Sequence, residues 1–340
     1  MAWPSNLPLL NAVLCLRAIA EPTRLRLIHL LAQGELTVSE ISQILGQSQP
    51  RVSRHLRLLL DGGFVARLPE GAWVFYRLVD AGTRSTAADL ANMLVERLDA
   101  GDPVLAGDLE RLTLVKAERA AEASAYFEAH ATDWLRVRAL YQPVAKVEAA
   151  MRELLGPQSV DFLVDFGTGT GRVLEVLGGL YRRAVGFDTN HTMLSVARVN
   201  LDRAQIRHAH VQHGNFLSLP RSLDDPDVVV IHQVLHYLDD PAAAVGSAAR
   251  LLGPNGRLLI VDFAPHEMEF LRTEHAHRRL GYSDDEVFEW CRGAGLEAQE
   301  VRQVKPPRER SGEVSSPAVS LWLACHPAHS GSVEDLEMAG

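Results

Sequence analysis

The sequence predicts a multidomain chain of the α and α/β classes, and three observations lead to this expectation. The chain has 340 residues, which is more than one compact domain usually holds. Up to about residue 150, most apolar residues recur at helical spacing. From Val160 onwards, short apolar runs alternate with helical segments, which predicts a parallel sheet built from βαβ units.

Composition and charge restrict the class of protein. Hydrophobic residues make up 47% of the chain and charged residues 23%, as in globular proteins. No run of eighteen apolar residues occurs, which argues against a membrane span. The cysteines, Cys15, Cys291 and Cys325, are far apart, and the first ten residues lack the positive segment of a signal peptide. We therefore expect a cytoplasmic protein without a disulfide framework.

The net charge of −9 is unevenly distributed. Residues 1–100 hold 10 arginines, no lysine and 9 acidic residues, a net charge of +1. The remaining 24 basic and 34 acidic residues give a net charge of −10. Because an acidic surface repels DNA, any contact with DNA is expected in the first hundred residues.

Two short helices are predicted between residues 37 and 63. The first, over Thr37–Leu45, begins with Thr37 and has Glu40 three residues later, the pattern of a capping box. The second begins at Ser48 and ends at a Gly-Gly pair, and its polar face has no acidic residue. Side chains of this face could reach phosphates and base edges in a major groove. They are Ser48, Gln49, Arg51, Ser53, Arg54, His55 and Arg57.

A β-hairpin is predicted next, because two alternating runs flank a Pro-Glu-Gly turn in FVARLPEGAWVFYRL. A hairpin directly after a helix-turn-helix is a wing, and Arg67 and Arg77 could contact the DNA backbone from it. A solvated basic helix would explain the arginines alone, but not the order of helix, turn and wing.

Over residues 8–80, the segments EPTRLRL and SQPRVSRHL and the wing resemble the ArsR family of winged helix-turn-helix regulators. The resemblance implies an operator-binding homodimer whose interface comprises residues 6–18 and 83–98. Many members sense metals through a cysteine pair, where this chain has Thr37 and Ser39. Because hydroxyls are poor ligands for soft metals, no metal is expected there.

A glycine-rich turn follows the first predicted strand of the α/β part. Asp165, Gly167, Gly169 and Gly171 form the pattern D-x-G-x-G-x-G. Such a turn alone could bind a dinucleotide or simply connect a strand to a helix. A second strand, AVGFD, ends in Asp188, where a carboxylate can accept hydrogen bonds from both hydroxyls of a ribose. A third strand is placed at GNFLSLP, where Asn215 and Phe216 could meet an adenine ring.

The order of these segments, with VVVIHQVLHYLDDP and LLGPNGRLLIVDF after them, closely resembles class I S-adenosylmethionine-dependent methyltransferases over residues 120–326. The resemblance implies a Rossmann-like seven-stranded fold that binds S-adenosylmethionine or S-adenosylhomocysteine. It also assigns roles to individual residues. Asp165, Gly167, Thr168 and Gly169 would bind the amino-acid part of the ligand, and Gly171 would close the turn. Asp188 would bind the ribose, and Asn215 and Phe216 the adenine. His232 would lie beside the reactive centre.

Three further groups of residues could form part of a ligand or metal site, or could simply pack in the core or face solvent. Tyr126, Phe127 and Trp134 could cover a ligand as a lid, but core packing is equally consistent with their spacing. His208, His210 and His213 alternate on a strand, and a solvated face is favoured over a metal site. The same holds for the polar segment after LLIVDF, where a helix is favoured over a substrate pocket or metal site. Its members are His266, Glu267, Glu269, Glu274, His275 and His277.

These expectations divide the chain into a winged domain (1–100), a helical connector or lid (101–150), a methyltransferase-like domain (151–328) and a flexible tail (329–340). Two functions fit this organisation. The chain could be a repressor that senses S-adenosylmethionine or S-adenosylhomocysteine. Alternatively, it could methylate a small molecule, with His236 as a general base and the winged part serving autoregulation or dimerisation.

Overall fold

The computed structural model describes residues 8–70, 73–79, 86–99, 101–129, 144–219, 225–275, 277–306 and 317–327. Side chains are described over the same ranges except 122–129 and 274. By its contacts the chain divides into two compact units. The first comprises residues 1–135 and 167–215, and the second comprises residues 136–166 and 216–340.

The N-terminal part is a winged helix-turn-helix, as predicted. Its helices are α1 (Leu9–Ile19), α2 (Pro22–Leu31), α3 (Val38–Leu45), α4 (Gln49–Asp61), α5 (Thr86–Arg97) and α6 (Pro103–Ala129). Its strands are β1 (Leu36–Thr37), β2 (Val65–Glu70) and β3 (Trp73–Leu78), paired antiparallel in the order β1-β3-β2. Fully buried side chains of the helices and of the segment before β2, among them Leu27, Ile41, Leu56 and Phe64, form its core.

The predicted capping box at the start of α3 is present. The Thr37 hydroxyl accepts from the backbone N–H of Glu40, and the Glu40 carboxylate accepts from the backbone N–H of Thr37 at 2.7 Å. Ser48 precedes α4 in an extended conformation but makes no capping hydrogen bond with its side chain. The α3 prediction is therefore confirmed to the level of hydrogen bonds, whereas α4 begins without side-chain capping.

The wing differs from the expectation in its turn. Pro69 and Glu70 were predicted in the turn, but both lie in β2, where Glu70 pairs with Trp73. Strand pairing thus continues two residues further than the Pro-Glu-Gly pattern suggests. The side chain of Glu70 is buried and forms an ion pair with Arg198, which is described below.

The α/β part begins with α7 (Val144–Leu155). In chain order the elements after it are β4 (Val160–Phe166), α8 (Arg172–Val176), β5 (Tyr181–Asp188), α9 (His191–Arg203), β6 (Ala209–His213), β7 (Val228–His232), α10 (Pro241–Leu251), β8 (Arg257–Phe263), α11 (Phe270–Glu274), α12 (Asp284–Gly293), β9 (Glu297–Val304) and β10 (Val319–Cys325). Short 3₁₀ helices cover Phe216–Ser218 and Leu235–Tyr237.

Seven strands form one sheet in the order β6-β5-β4-β7-β8-β10-β9, which confirms the predicted Rossmann-like fold. The pairs β4–β7, β5–β6 and β7–β8 are parallel, and β10 is antiparallel to both β8 and β9. The third strand is Ala209–His213, so its placement at GNFLSLP was wrong by several residues, since Phe216–Ser218 forms a 3₁₀ turn. Among the described residues, no helix is long and apolar enough to cross a lipid bilayer.

Candidate nucleic-acid and cofactor sites

The polar face of α4 is open to solvent. Val52, Leu56 and Leu59 are fully buried and hold the helix against the core. On the opposite side, the side chains of Ser48, Gln49, Arg51, Ser53, Arg54 and Arg57 are exposed. A helix with buried apolar residues on one side and exposed arginines on the other can enter a major groove without rearrangement of its core.

His55 differs from the other predicted contacts. Its ring is partly buried, and Nδ1 lies 3.5 Å from the carboxylate of Glu21, the residue that caps α2. Burial lowers the pKa of His55, although Glu21 opposes this effect. In this arrangement His55 connects α4 to the start of α2, so it is less available to DNA than its neighbours.

The two wing arginines also differ from each other. Arg67 is exposed on β2. Arg77 is half-buried on β3, and its guanidinium donates to the carbonyl oxygen of Leu78 at 3.3 Å. Of the two, Arg67 has the geometry of a residue that can reach a DNA backbone.

The glycine-rich turn adopts a conformation that requires its glycines. Gly167, Gly169 and Gly171 have φ angles of 70°, 53° and 78°, a region that residues with a Cβ atom rarely adopt. The turn is fixed by Asp188, whose carboxylate accepts from the N–H of Gly169 at 2.8 Å and from the N–H of Asn190 at 2.8 Å. Thr168 is buried beside Gly186, where a Cβ atom would clash with the Thr168 hydroxyl.

Asp188 therefore also has a structural role, that of a turn residue at the end of a strand, besides the ligand contact expected from the sequence. Each of its oxygens accepts one backbone hydrogen bond and keeps acceptor capacity for a further donor. The carboxylate is partly exposed at the carboxyl end of β5, the side on which open α/β sheets bind ligands. Asn215, two residues after β6, is exposed at the corresponding end of that strand.

In the second unit, the predicted ligand residues are more deeply buried. Asp165 is fully buried near the end of β4. Phe216 is also buried, and its ring stacks on that of Phe166 with centroids 4.9 Å apart and 15° between the planes. Phe216 thus packs against the end of β4, and an adenine would meet at most the part of the ring that remains accessible.

A cluster of histidines lies beyond β7 and β8, also in the second unit. His236 is fully buried, and its Nδ1 lies 2.7 Å from the carboxylate of Asp262, which is itself fully buried. The ring of His277 lies 4.1 Å from that of His236, between centroids. Burial lowers the pKa of His277 to about 3, and the neighbouring His236 adds to the effect. Burial also lowers the pKa of His232 to about 4.

The other predicted groups give mixed outcomes. His277 belongs to this buried cluster, whereas the polar helix proposed for its segment is the short α11, which ends before it. His213 stacks on His191 at 4.1 Å. The side chains of Tyr126, Phe127 and Trp134, and the tail over 329–340, lie outside the described residues. Within the described ranges, no three His, Cys, Asp or Glu side chains are arranged to hold a metal ion.

Sequence reasoning missed an arginine of the first unit that joins α9 to the winged part. Arg198 donates through Nε to the Glu35 carboxylate at 2.7 Å and through Nη1 to the Glu70 carboxylate at 3.1 Å. Its guanidinium lies 3.8 Å from the centroid of the Phe75 ring. The side chain of Arg198 is only 7% exposed, and those of Glu35 and Glu70 are 7% and 3% exposed. The sequence shows Arg198 only as one of several helix arginines, so its pattern carries no signal for this role.

Further contacts reinforce this connection. His191, in the first turn of α9, lies 3.4 Å from Glu70. Lys116 of α6 pairs with Asp202 in the last turn of α9 and donates to the carbonyl oxygen of Gln33 at 3.1 Å. Arg119 of α6 pairs with Glu40 and donates to the carbonyl oxygen of Glu35 at 3.1 Å. Helix α9 is thus held to the winged part along its length.

Two known families match separate parts of the chain. Residues 21–67 match the bacterial regulatory protein, arsR family, and residues 164–260 match a methyltransferase domain. The arsenical resistance operon repressor of Escherichia coli is 44% identical over 63 residues, which cover 18% of this chain and 54% of that protein. The chain spans about half the length of the curated repressors it matches.

The relatives that match the methyltransferase part of the chain are less similar in sequence. A Mycolicibacterium smegmatis protein named "Probable S-adenosylmethionine-dependent methyltransferase" is 29% identical over 144 residues, 41% of this chain and 53% of that protein. The crystal structure of the YcgJ protein of Bacillus subtilis superposes with a TM-score of 0.43 at 18% identity, over 53% of this chain and 97% of that one. The chain therefore joins a helix-turn-helix domain of the ArsR family to a methyltransferase domain.

Proposed function

We propose that the chain is a transcriptional repressor whose methyltransferase domain binds S-adenosylmethionine or S-adenosylhomocysteine as an effector. One observation carries the proposal: α9 begins three residues after Asp188 and carries Arg198 to Glu70 at the end of wing strand β2. A ligand contact at Asp188 and a DNA contact at the wing are thus joined through one helix.

The residues of the first unit fit such a ligand. The glycine-rich turn presents its backbone in a conformation that residues with a Cβ atom rarely adopt, and Asp188 keeps acceptor capacity for ribose hydroxyls. When bound, S-adenosylmethionine would supply a reactive methyl sulfonium, whereas S-adenosylhomocysteine has a thioether in its place. The protein's own contribution is to hold the turn and the carboxylate in place.

Coupling follows if the ligand binds two positions of α9 unequally. Binding at Asp188 then shifts the balance of these positions, and the ion pairs of Arg198 transmit the shift to β2. A short buried contact of this kind transmits displacement better than an exposed pair, because screening by solvent is weak there. No turnover of the ligand is required.

Operator binding as a homodimer is the second part of the proposal. The arginine-bearing face of α4 would enter the major groove, and Arg67 would contact the backbone. Helix α1 carries an exposed apolar face, since the side chains of Leu9, Leu10, Leu14 and Leu16 are 84%, 71%, 51% and 56% exposed. A second copy of the chain would cover this face, and sedimentation of the purified protein measures whether it does.

An enzyme that methylates a small molecule is the alternative, and the pair of His236 and Asp262 is the observation in its favour. A histidine oriented by a carboxylate is the usual arrangement of a general base. However, the His236 side chain is fully buried, so a substrate would reach its Nε2 only after local opening. This burial favours an effector domain over an active enzyme.

Operator binding with and without ligand tests the proposal. Gel shifts on the DNA upstream of the chain's own gene would be measured with no ligand, with S-adenosylmethionine and with S-adenosylhomocysteine. We expect affinity to change severalfold with at least one ligand, and His236→Ala to keep this response. If operator affinity is the same in all three conditions and the protein methylates an identified acceptor, the enzyme is the correct interpretation.

A further inference from the structure

A cavity of about 460 Å³ lies in the first unit, away from the glycine-rich turn. Its walls come from the segment between α2 and β1, the end of β3, α6, the second half of α9 and the first residues of β5 and β6. Such a volume is within the range of small-molecule sites in proteins.

The cavity and the proposed cofactor site are at opposite ends of the same strands. Arg182 and Arg183 at the amino end of β5 line the cavity, whereas Asp188 ends that strand. With a rise of about 3.3 Å per residue, the two ends are roughly 20 Å apart. A molecule in the cavity would therefore be a second ligand, and not part of an S-adenosylmethionine molecule bound at the turn.

The lining is strongly cationic in a chain whose net charge is −9. Eight of the described lining residues are arginine or lysine, and two, Glu35 and Asp202, are acidic. Lys116, Arg119 and Arg198 are held by carboxylates in the contacts given above. These three pairs fix part of the wall of the cavity.

Arg203 and Arg207 are the cations best placed to receive one. They lie at the end of α9 and in the loop before β6, and both side chains are exposed. Within the described part of the chain, neither forms an ion pair. Leu31, Leu112 and Ile206 add apolar surface to the same lining. A guanidinium matches phosphate oxygens in geometry and charge, and adjacent apolar surface accommodates an organic group.

We propose that this cavity binds a small organic molecule bearing two or more phosphate groups, held by Arg203 and Arg207. Its wall includes Arg77, Leu78 and Val79 at the end of β3, so a bound molecule would contact the base of the wing directly. Binding itself does not depend on the proposed effector function, because it involves neither the glycine-rich turn nor the operator.

Calorimetric titration of the full chain with inorganic pyrophosphate, in the presence of saturating S-adenosylhomocysteine, tests the proposal. We expect binding that weakens with ionic strength and becomes at least about tenfold weaker in the double variant Arg203→Gln, Arg207→Gln. The matched control, Arg272→Gln with Arg292→Gln, removes two exposed arginines of the second unit and should bind pyrophosphate like the wild type.

Several outcomes would overturn the proposal. They are absence of pyrophosphate binding, equal binding by the wild type and the cavity variant, or equal loss in the control. If the cavity variant instead loses affinity only for duplex DNA of unrelated sequence, these arginines serve DNA and the proposal is wrong. Thermal unfolding of each variant confirms that it is folded. Because operator and S-adenosylhomocysteine binding are measured separately, failure here leaves the proposed function standing.

Discussion

Arg198 of α9 and Glu70 of β2 form a buried ion pair, with Nη1 3.1 Å from Oε1, and Glu35 binds the same guanidinium from the other side. The first prediction is that Arg198→Met lowers the free energy of unfolding by about 3–5 kcal/mol, because it leaves two buried carboxylates without their cation. Urea unfolding measures this loss. The matched variant Arg292→Met removes an exposed arginine of α12 and should change stability by less than about 0.5 kcal/mol.

The same variant separates stabilisation by charge from packing. Adding Glu35→Gln and Glu70→Gln to Arg198→Met should recover part of the lost stability, since neutral amides are less costly to bury than carboxylates. A loss below about 1 kcal/mol in the single variant would show that the carboxylates reach water or another cation, and the proposed transmission through Arg198 would lose its basis.

The second prediction concerns operator recognition by α4. Arg54→Ala should weaken operator binding by about 1–3 kcal/mol if the side chain reads a base, because a good base contact is worth that much. Gel shifts on specific and unrelated DNA separate a base contact from a phosphate contact, since the latter weakens both. Arg292→Ala, outside the winged part, is the control. If the wild type gives no gel shift with operator DNA at low salt, the proposed repressor function is contradicted.

The N-terminal elements were predictable because their signals are local. The capping box of Thr37 and Glu40 depends on residues three positions apart, and the helix-turn-helix and wing follow in sequence order. Strand β9 was missed for the opposite reason. Its eight residues, EAQEVRQV, have no alternating apolar pattern, and most of its side chains are exposed at the edge of the sheet.

The candidate site was predictable only in part. The glycines of the turn are visible in sequence because a positive φ selects for them. The partners of Arg198 are not, because Glu35 and Glu70 are 163 and 128 residues away and meet it only through tertiary packing. Likewise, Phe216 was assigned to the ligand from its position, whereas stacking on Phe166 depends on how β4 and the 3₁₀ turn pack.

The third prediction is that Asp188→Ala removes measurable binding of S-adenosylhomocysteine. The carboxylate would lose its contact with the ribose, and the turn would lose the acceptor for the N–H of Gly169. Asp188→Asn keeps one acceptor oxygen and should retain more of the affinity. Calorimetry on a sample cleared of co-purified ligand measures both, and Glu175→Gln on α8 is a control in the same unit. Unchanged affinity in Asp188→Ala would exclude the assigned ribose contact.

The last prediction concerns pH and the buried histidines. The pKa values of His277 and His232 are lowered from 6.5 to about 3 and about 4, chiefly by burial. Below pH 6.5 the unfolded chain therefore takes up protons that the folded chain does not. The contribution of these two groups to stability is complete above pH 6.5 and falls as the pH drops from 6.5 towards 4. Each proton contributes a slope of up to about 1.4 kcal/mol per pH unit.

Urea unfolding at several pH values between 4 and 8, the range of about two units on either side of an ordinary histidine pKa, measures this slope. Protonation of carboxylates also lowers the free energy of unfolding as the pH falls, so the comparison between variants is decisive. In His277→Gln the slope below pH 6.5 should decrease by close to the contribution of one proton, about 1.4 kcal/mol per pH unit, because the glutamine does not titrate. Gln299→Ala, which changes an exposed side chain without a titratable group, should leave the slope unchanged. An equal slope in wild type and His277→Gln would mean that His277 is already protonated in the folded chain, beside a His236 that is held by Asp262.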